Sequence, residues 1–281
     1  MIAHAFSGGS LWSSWTFQPV PLALGAAAVV LFGQAFVRLR RRGRADLAPS
    51  SRALLWALGV ALSLLGLVSP LDRIAEERLL AGHMLQHMLL ADLGPALMLL
   101  AIRGPLTFFL LPPPVLRRVA GFRPLRAFLH RLTGPWVVLA LYSGTMIAWH
   151  VPRLYDYALT HQPVHDLEHA LFAFTGILVW LVLVDPARTG RLSGAKRILF
   201  GVGVLAAMHA IVDPLLFSGH PLYPYYARIS DRLWGISPLV DQRLAAVIMF
   251  VEQLATVGTC VAVLLRPYLR RARTAAVPAQ G

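Results

Sequence analysis

Apolar residues gather along the chain in seven stretches, at residues 20–38, 53–69, 81–101, 135–150, 165–184, 197–217 and 243–265. A bilayer crossing needs about 20 mostly apolar residues in a helix. The stretches are continuous rather than alternating and too long for barrel strands, which predicts α-helices whose backbone groups are satisfied internally. The expected fold is therefore all-α: a polytopic integral membrane bundle of about seven transmembrane helices, one transmembrane domain over residues 1–281. The pattern contains no internal repeat, low-complexity linker or separate soluble domain. Trp12, Trp15 and Phe17 precede the first stretch as an interfacial aromatic belt. Met1 to Gln18 lacks the basic start of a signal peptide, so the first stretch is expected to stay as a span.

Composition agrees with the pattern. At 57% hydrophobic and 14% charged residues the chain does not fit a soluble protein. The formal charge of +13 could suggest nucleic acid, but the arginines lie in short clusters between apolar stretches, as topology signals do. Nucleic acid is set aside as a partner, and the lipid bilayer is the expected one. All but six of the 26 Lys and Arg residues fall after stretches one, three and five or in the C-terminal tail, including Arg38 to Arg44, Arg117 to Arg131 and Arg266 to Arg273. The other six, Arg73, Arg78, Arg153, Arg228, Arg232 and Arg243, sit among acidic residues. The positive-inside rule then places the N-terminus outside and the C-terminus in the cytoplasm. Cys260 is the only cysteine, so there is no internal disulfide and no paired-cysteine metal motif.

With that orientation, the histidines collect in one layer at the outer boundary. His83 and His87 open the third stretch, His150 ends the fourth, and His165 and His169 open the fifth. Residues four apart stack on one helix face, so His83/His87 form one ridge, Met84/Met88 the next, and His165/His169 a third. Imidazole with thioether suits copper, Cu(I) in particular, while calcium and magnesium want oxygen; zinc stays open. Taken singly, each has a plainer reading: an interhelical hydrogen bond, a helix cap or core packing. Glu168, His209, Asp213 and Asp241 are candidate further ligands or groups that orient the ligands. His209 and Asp213 suit an interhelical hydrogen-bonded pair as well as ligation. Asp92 and Glu252 lie deeper, costly in hydrocarbon, and read as a proton path, an ion path or carboxyls bonded to neighbouring helices.

Several segments together resemble a known family. Trp15-Thr16-Phe17-Gln18-Pro19, Ser69-Pro70-Leu71-Asp72, His83-Met84-Leu85-Gln86-His87 with Pro95, and Trp149-His150-Val151-Pro152 through Asp156 come in the order found in the seven-span CtaG-type cytochrome c oxidase assembly factors. Val164-His165-Asp166-Leu167-Glu168-His169, Leu222-Tyr223-Pro224-Tyr225-Tyr226 and Asp241-Gln242 ahead of Ile248-Met249 continue it, so the likeness runs from about residue 15 to 258. The resemblance implies a multi-pass protein of the bacterial inner membrane, without enzymatic activity, needed to make haem-copper oxidase, with copper supply the usual inference. Its implied partners are oxidase subunits or other copper chaperones. The chain departs from the family pattern where Trp-Val-Pro-Gly is expected and Phe250-Val251-Glu252-Gln253 stands.

Other functions remain to be weighed. Bis-histidine haem binding needs two His at matched depth on facing helices, which the third and fifth stretches could supply. A copper or proton transporter would need polar ligands through the inner half, where Asp92 and Glu252 stand nearly alone. A retinal protein fails because the sole lysine, Lys196, opens the sixth stretch at its cytoplasmic end. No nucleophile motif supports a hydrolase.

Overall fold

The computed structural model describes residues 13–276; His4 and Trp12 lie outside them. Regular structure among the described residues is entirely helical. In chain order the first helices are α1 (Pro19–Arg41), α2 (Ser50–Val68), the short α3 (Pro70–Glu77) and α4 (Leu80–Ala101). Three short helices follow, α5 (Pro105–Phe109), α6 (Pro113–Gly121) and α7 (Arg123–Leu132), and then α8 (Pro135–Trp149). The rest of the chain forms α9 (Pro152–Thr160), α10 (Gln162–Val184), α11 (Gly194–Phe217), the one-turn α12 (Pro224–Ala227) and α13 (Pro238–Ala272).

Six of these are long and apolar enough to cross a membrane, and α7 with α8, bent by 63° at their junction, makes a seventh if the pair is one span. The fourth apolar stretch is thus the exception to simple spans. At 1.5 Å per residue the 15-residue α8 covers only about 22 Å, short of a hydrocarbon core of about 30 Å. Three short helices, α3, α9 and α12, lie in the connections between the apolar stretches. Each starts at a proline, which has no N–H to lose in a first helical turn, and Ser69 caps α3 by accepting from Leu71 N at 3.2 Å. The Pro105 to Pro114 segment packs α5 on α1: Gln34 Nε2 donates to the Phe109 carbonyl at 2.8 Å.

Helix α4 is the hub. It packs against α2, α3, α10 and α13, while α8 lies against α10 and α11, and α11 closes onto α13. Helices α4, α10, α8, α11 and α13 thereby form a ring, with α2 and then α1 outside it. Side chains from all five ring helices line one small central cavity, among them Asp92, Tyr142, Trp180, Val204 and Gln253. Leucines and valines such as Leu24, Val30, Leu54 and Val251 stay exposed, as lipid-facing positions must.

Candidate metal centre

The site is set by how α4 and α10 meet. Pro95 has no N–H to give the Ala91 carbonyl, and a proline ring inside a helix crowds the carbonyl four residues back. Helix α4 answers with a π-turn over Leu89–Leu93. Gly176 of α10 comes down on that same carbonyl, so closely that a Cβ there would stand 1.7 Å from Ala91 O. The contact needs a residue without a side chain, the usual device for close helix approach in membranes. It fixes α10 against α4 about two turns below the two histidine pairs. The outer end of α4 is pinned separately. Asp241 accepts from Leu80 N at 3.0 Å and Ala81 N at 2.9 Å, so a carboxylate from α13 satisfies the orphan amides of the first turn. Arg232 joins the same carboxylate at 3.0 Å.

Held this way, His83 and His87 face His165 and His169, and one nitrogen from each lies within 4.8 Å of all the others. All four rings are buried. The Nε2 atoms of His83 and His165 are 3.2 Å apart. Two imidazole nitrogens each about 2.0 Å from one ion at a tetrahedral angle would stand about 3.3 Å apart. His87 Nδ1 and Nε2 and His169 Nε2 are buried without a hydrogen-bond partner. Each such group costs about 1–3 kcal/mol if left unsatisfied, and a bound cation would supply the missing partner.

The groups behind the four histidines set how their rings are turned. His165 Nδ1 is 3.0 Å from Glu76 Oε1; a neutral imidazole donating there turns its Nε2 lone pair to the quartet, the carboxylate–histidine arrangement typical of metal sites. Tyr226 and Tyr155 place their hydroxyls 2.8 and 2.9 Å from His83 Nδ1. Tyr226 donates its own proton to the Ala75 carbonyl at 2.6 Å, so its oxygen is free to accept from His83 Nδ1–H, again leaving Nε2 inward. Burial pushes both phenols well above their ordinary range, which keeps them as hydroxyls. Beside Glu76, burial and the neighbouring carboxylate raise the Asp72 carboxyl to about 7, against a 2.6 Å hydrogen bond from Gln86 Nε2 that lowers it.

Four of the five histidines marked from sequence come together, and His150 stands one ring away. Its Nδ1 donates to the Met146 carbonyl at 2.7 Å, and its neighbours Phe172 and Tyr155, with centroids 6.0 and 6.3 Å off, are the rings that touch His87 and His83. Glu168 is buried with both oxygens unpartnered. Met84 lies in the apolar core and Met88 lines the central cavity with Asp92. His209 and Asp213 pair with each other at 3.0 Å along α11, half exposed, rather than linking two helices. Asp241 serves as the cap described above. Asp92 accepts from Trp180 Nε1, from Gln253 Nε2 at 2.9 Å and from Thr256 Oγ1 at 2.6 Å, joining α4 to α10 and α13. Glu252 is packed beside Asp92, and the two side-chain carboxyls hydrogen-bond to each other. A second π-turn, Leu254–Gly258, follows the segment that departs from the family pattern, and its Thr256 is one of those donors. Glu76, Tyr155 and Tyr226 escaped the reading from sequence. The signal for Glu76 was an amphipathic turn carrying Asp72 and Glu76 four apart between two apolar stretches.

Fold and site together define a multi-helix membrane protein with a buried cluster of four histidines. A model of the cytochrome c oxidase caa3 assembly factor family (Caa3_CtaG) matches residues 30–271, and the chain belongs to that family. Neither a curated protein nor a solved structure matches it.

Proposed function

We propose that this protein is a non-enzymatic assembly factor of the bacterial inner membrane that holds copper in the His83, His87, His165 and His169 quartet and passes it to a cytochrome c oxidase subunit, directly or through another copper chaperone. The observation that carries the reading is the convergence of four buried histidine nitrogens within 4.8 Å. Imidazole suits copper. Among the described residues one carboxylate, Glu76, is hydrogen-bonded to the quartet, so a single positive charge is balanced there and Cu(I) is favoured over a divalent ion. Met84 and Met88 are not needed in this ligand set. The positive-inside bias puts the quartet on the outer, periplasmic side, where copper arrives without crossing the bundle. The rings pack against one another with centroids 4.2–6.2 Å apart, and Phe172 fills the space beneath His87 at 4.7 Å. That density argues against a haem between the histidines. The central cavity around Asp92, closed to anything larger than a water molecule, argues against an ion path to the other side.

The test is metal analysis of the purified protein after loading with Cu(I) under reducing conditions. One ion per chain, silent in electron paramagnetic resonance and absent from a variant with His83, His87, His165 and His169 all replaced by Ala, is the expected result. No bound copper, or equal copper in that variant, would overturn the site. Co-purification with oxidase subunits tests the partner.

A further inference from the structure

The quartet has one side that is not sealed. His83, His87 and His165 are 0%, 1% and 2% exposed, whereas His169 is 9% exposed. His169 forms part of the wall of a groove of about 620 Å³ between the start of α1 and the outer half of α10, with the end of α2 and the π-turn of α4 behind it. Leu24, Leu67 and Leu90 make most of that lining apolar. One line of polar residues interrupts it. Gln162, Asp166 and His169 descend one face of α10 a turn at a time, and Gln162 Nε2 donates to Asp166 Oδ1 at 3.0 Å. Above the quartet, access is closed by the Tyr155 and Tyr226 hydroxyls on His83, and below it by Phe172 against His87.

We infer that a soft monovalent metal ion enters and leaves the quartet through this groove, captured at Asp166 and handed first to His169. The inference rests on the quartet being a metal site, and it assigns the route and the order of contact. An anionic carboxylate at the mouth raises the local cation concentration and the rate of encounter. His169 is the ring on the groove side of the quartet, and its Nε2, buried and without a partner, is free to bind the incoming ion before the three more deeply buried ligands complete the shell. Release runs in reverse, with His169 the last contact. The transfer exchanges ligands on the ion, with no change of oxidation state. Gln162 holds Asp166 at the mouth, and the small Ala170 and Ala173 leave the passage open beside His169.

The route is tested by loading kinetics of the full-length protein in detergent, with Ag(I) as a redox-inert monovalent probe. In a Cys260→Ser background, Ala170→Cys is modified either with a methyl-sized thiol reagent or with a bulky maleimide, so one folded protein serves as its own reference. Leu167→Cys, half exposed on another face of the same helix, is treated alike. The bulky group at position 170 is expected to slow Ag(I) uptake at least tenfold while the final ion count per chain stays the same, and the same group at 167 leaves the rate unchanged. Asp166→Asn is expected to slow uptake severalfold at low salt and to lose that effect at high salt. Uptake at the unmodified rate with the bulky group at 170 overturns the port, and an unchanged low-salt rate in Asp166→Asn removes Asp166 from it. If the unmodified protein takes up no Ag(I) at all, the metal-site reading itself falls, a result distinct from either.

Discussion

Glu76 illustrates how much a single unassuming residue sets. It is partly exposed, lies on a short connecting helix, and has no metal-ligand spacing around it, yet its carboxylate orients His165 at 3.0 Å. Partners of this kind matter to metal affinity by roughly 10–100-fold. Glu76→Gln is therefore expected to weaken copper binding by that factor in a competition titration while one ion per chain still binds; unchanged affinity would remove the orienting role. Asp72, one turn earlier, gives a pH signature of its own. Its folded-state value of about 7 lies above the ordinary carboxyl range because burial and Glu76 disfavour the charge. A folded state that holds the proton more tightly than the unfolded chain loses stability as pH rises, here from about pH 4, where the unfolded carboxyl titrates, to about pH 7. Metal-free protein should lose on the order of a few kcal/mol over that window from this group. Asp72→Asn, neutral throughout, should flatten the slope in chemical or thermal unfolding; an equal slope in both proteins would show that another group is responsible.

The element that decides the site is the crossing of α4 and α10, and its causes are spread over three residues far from any ligand. Pro95 leaves the Ala91 carbonyl without its usual donor, the π-turn over Leu89–Leu93 accommodates the ring, and Gly176 uses the space. Replacing Gly176 with Ala puts a methyl group 1.7 Å from a backbone oxygen. Neither backbone can yield as a flexible side chain would, so α10 must move away from α4. The expected cost is about 1–3 kcal/mol, in the range of core overpacking, together with loss of copper affinity as the two histidine pairs separate. Gly144→Ala on α8 is the matched control. Nothing lies within 4 Å of its added methyl group, so the change should be neutral or stabilising by up to about 1 kcal/mol through helix propensity. Thermal unfolding with and without metal distinguishes the two, and equal behaviour of both variants would show that the crossing does not position the quartet. Asp92 ties the same helices lower down, drawing donors from α10 and α13 at the two π-turns, which matches its reading as a carboxyl bonded to other helices.

At the scale of the molecule, what sequence made legible follows from which forces are local. The apolar stretches and the i, i+4 histidine pairs depend only on spacing, so the spans and the convergent histidines are legible from sequence. The pairing of α4 with α10 depends on Gly176 meeting Ala91, and the roles of Glu76, Tyr155 and Tyr226 depend on α3, α9 and α12 folding back over the bundle, contacts remote in sequence that no local pattern encodes. Asp241 shows the same limit: an acidic residue near the histidine layer looked like a ligand candidate, and only the fold reveals it as the cap of another helix. Orientation across the membrane belongs to this scale too, because it rests on charge summed over whole connections. Arg38 to Arg44, the α6–α7 arginines and those from Arg266 onward lie at one end of the spans, while the quartet, Arg73 and Arg153 lie at the other. The positive-inside bias then predicts that the quartet end faces outward. In a Cys260→Ser background, a cysteine at exposed Tyr157 on α9 should react with a membrane-impermeant maleimide in intact spheroplasts, and one at exposed Arg118 on α6 only after the membrane is opened. The opposite pattern would put the histidine quartet on the cytoplasmic side, and copper would then have to be supplied from within the cell.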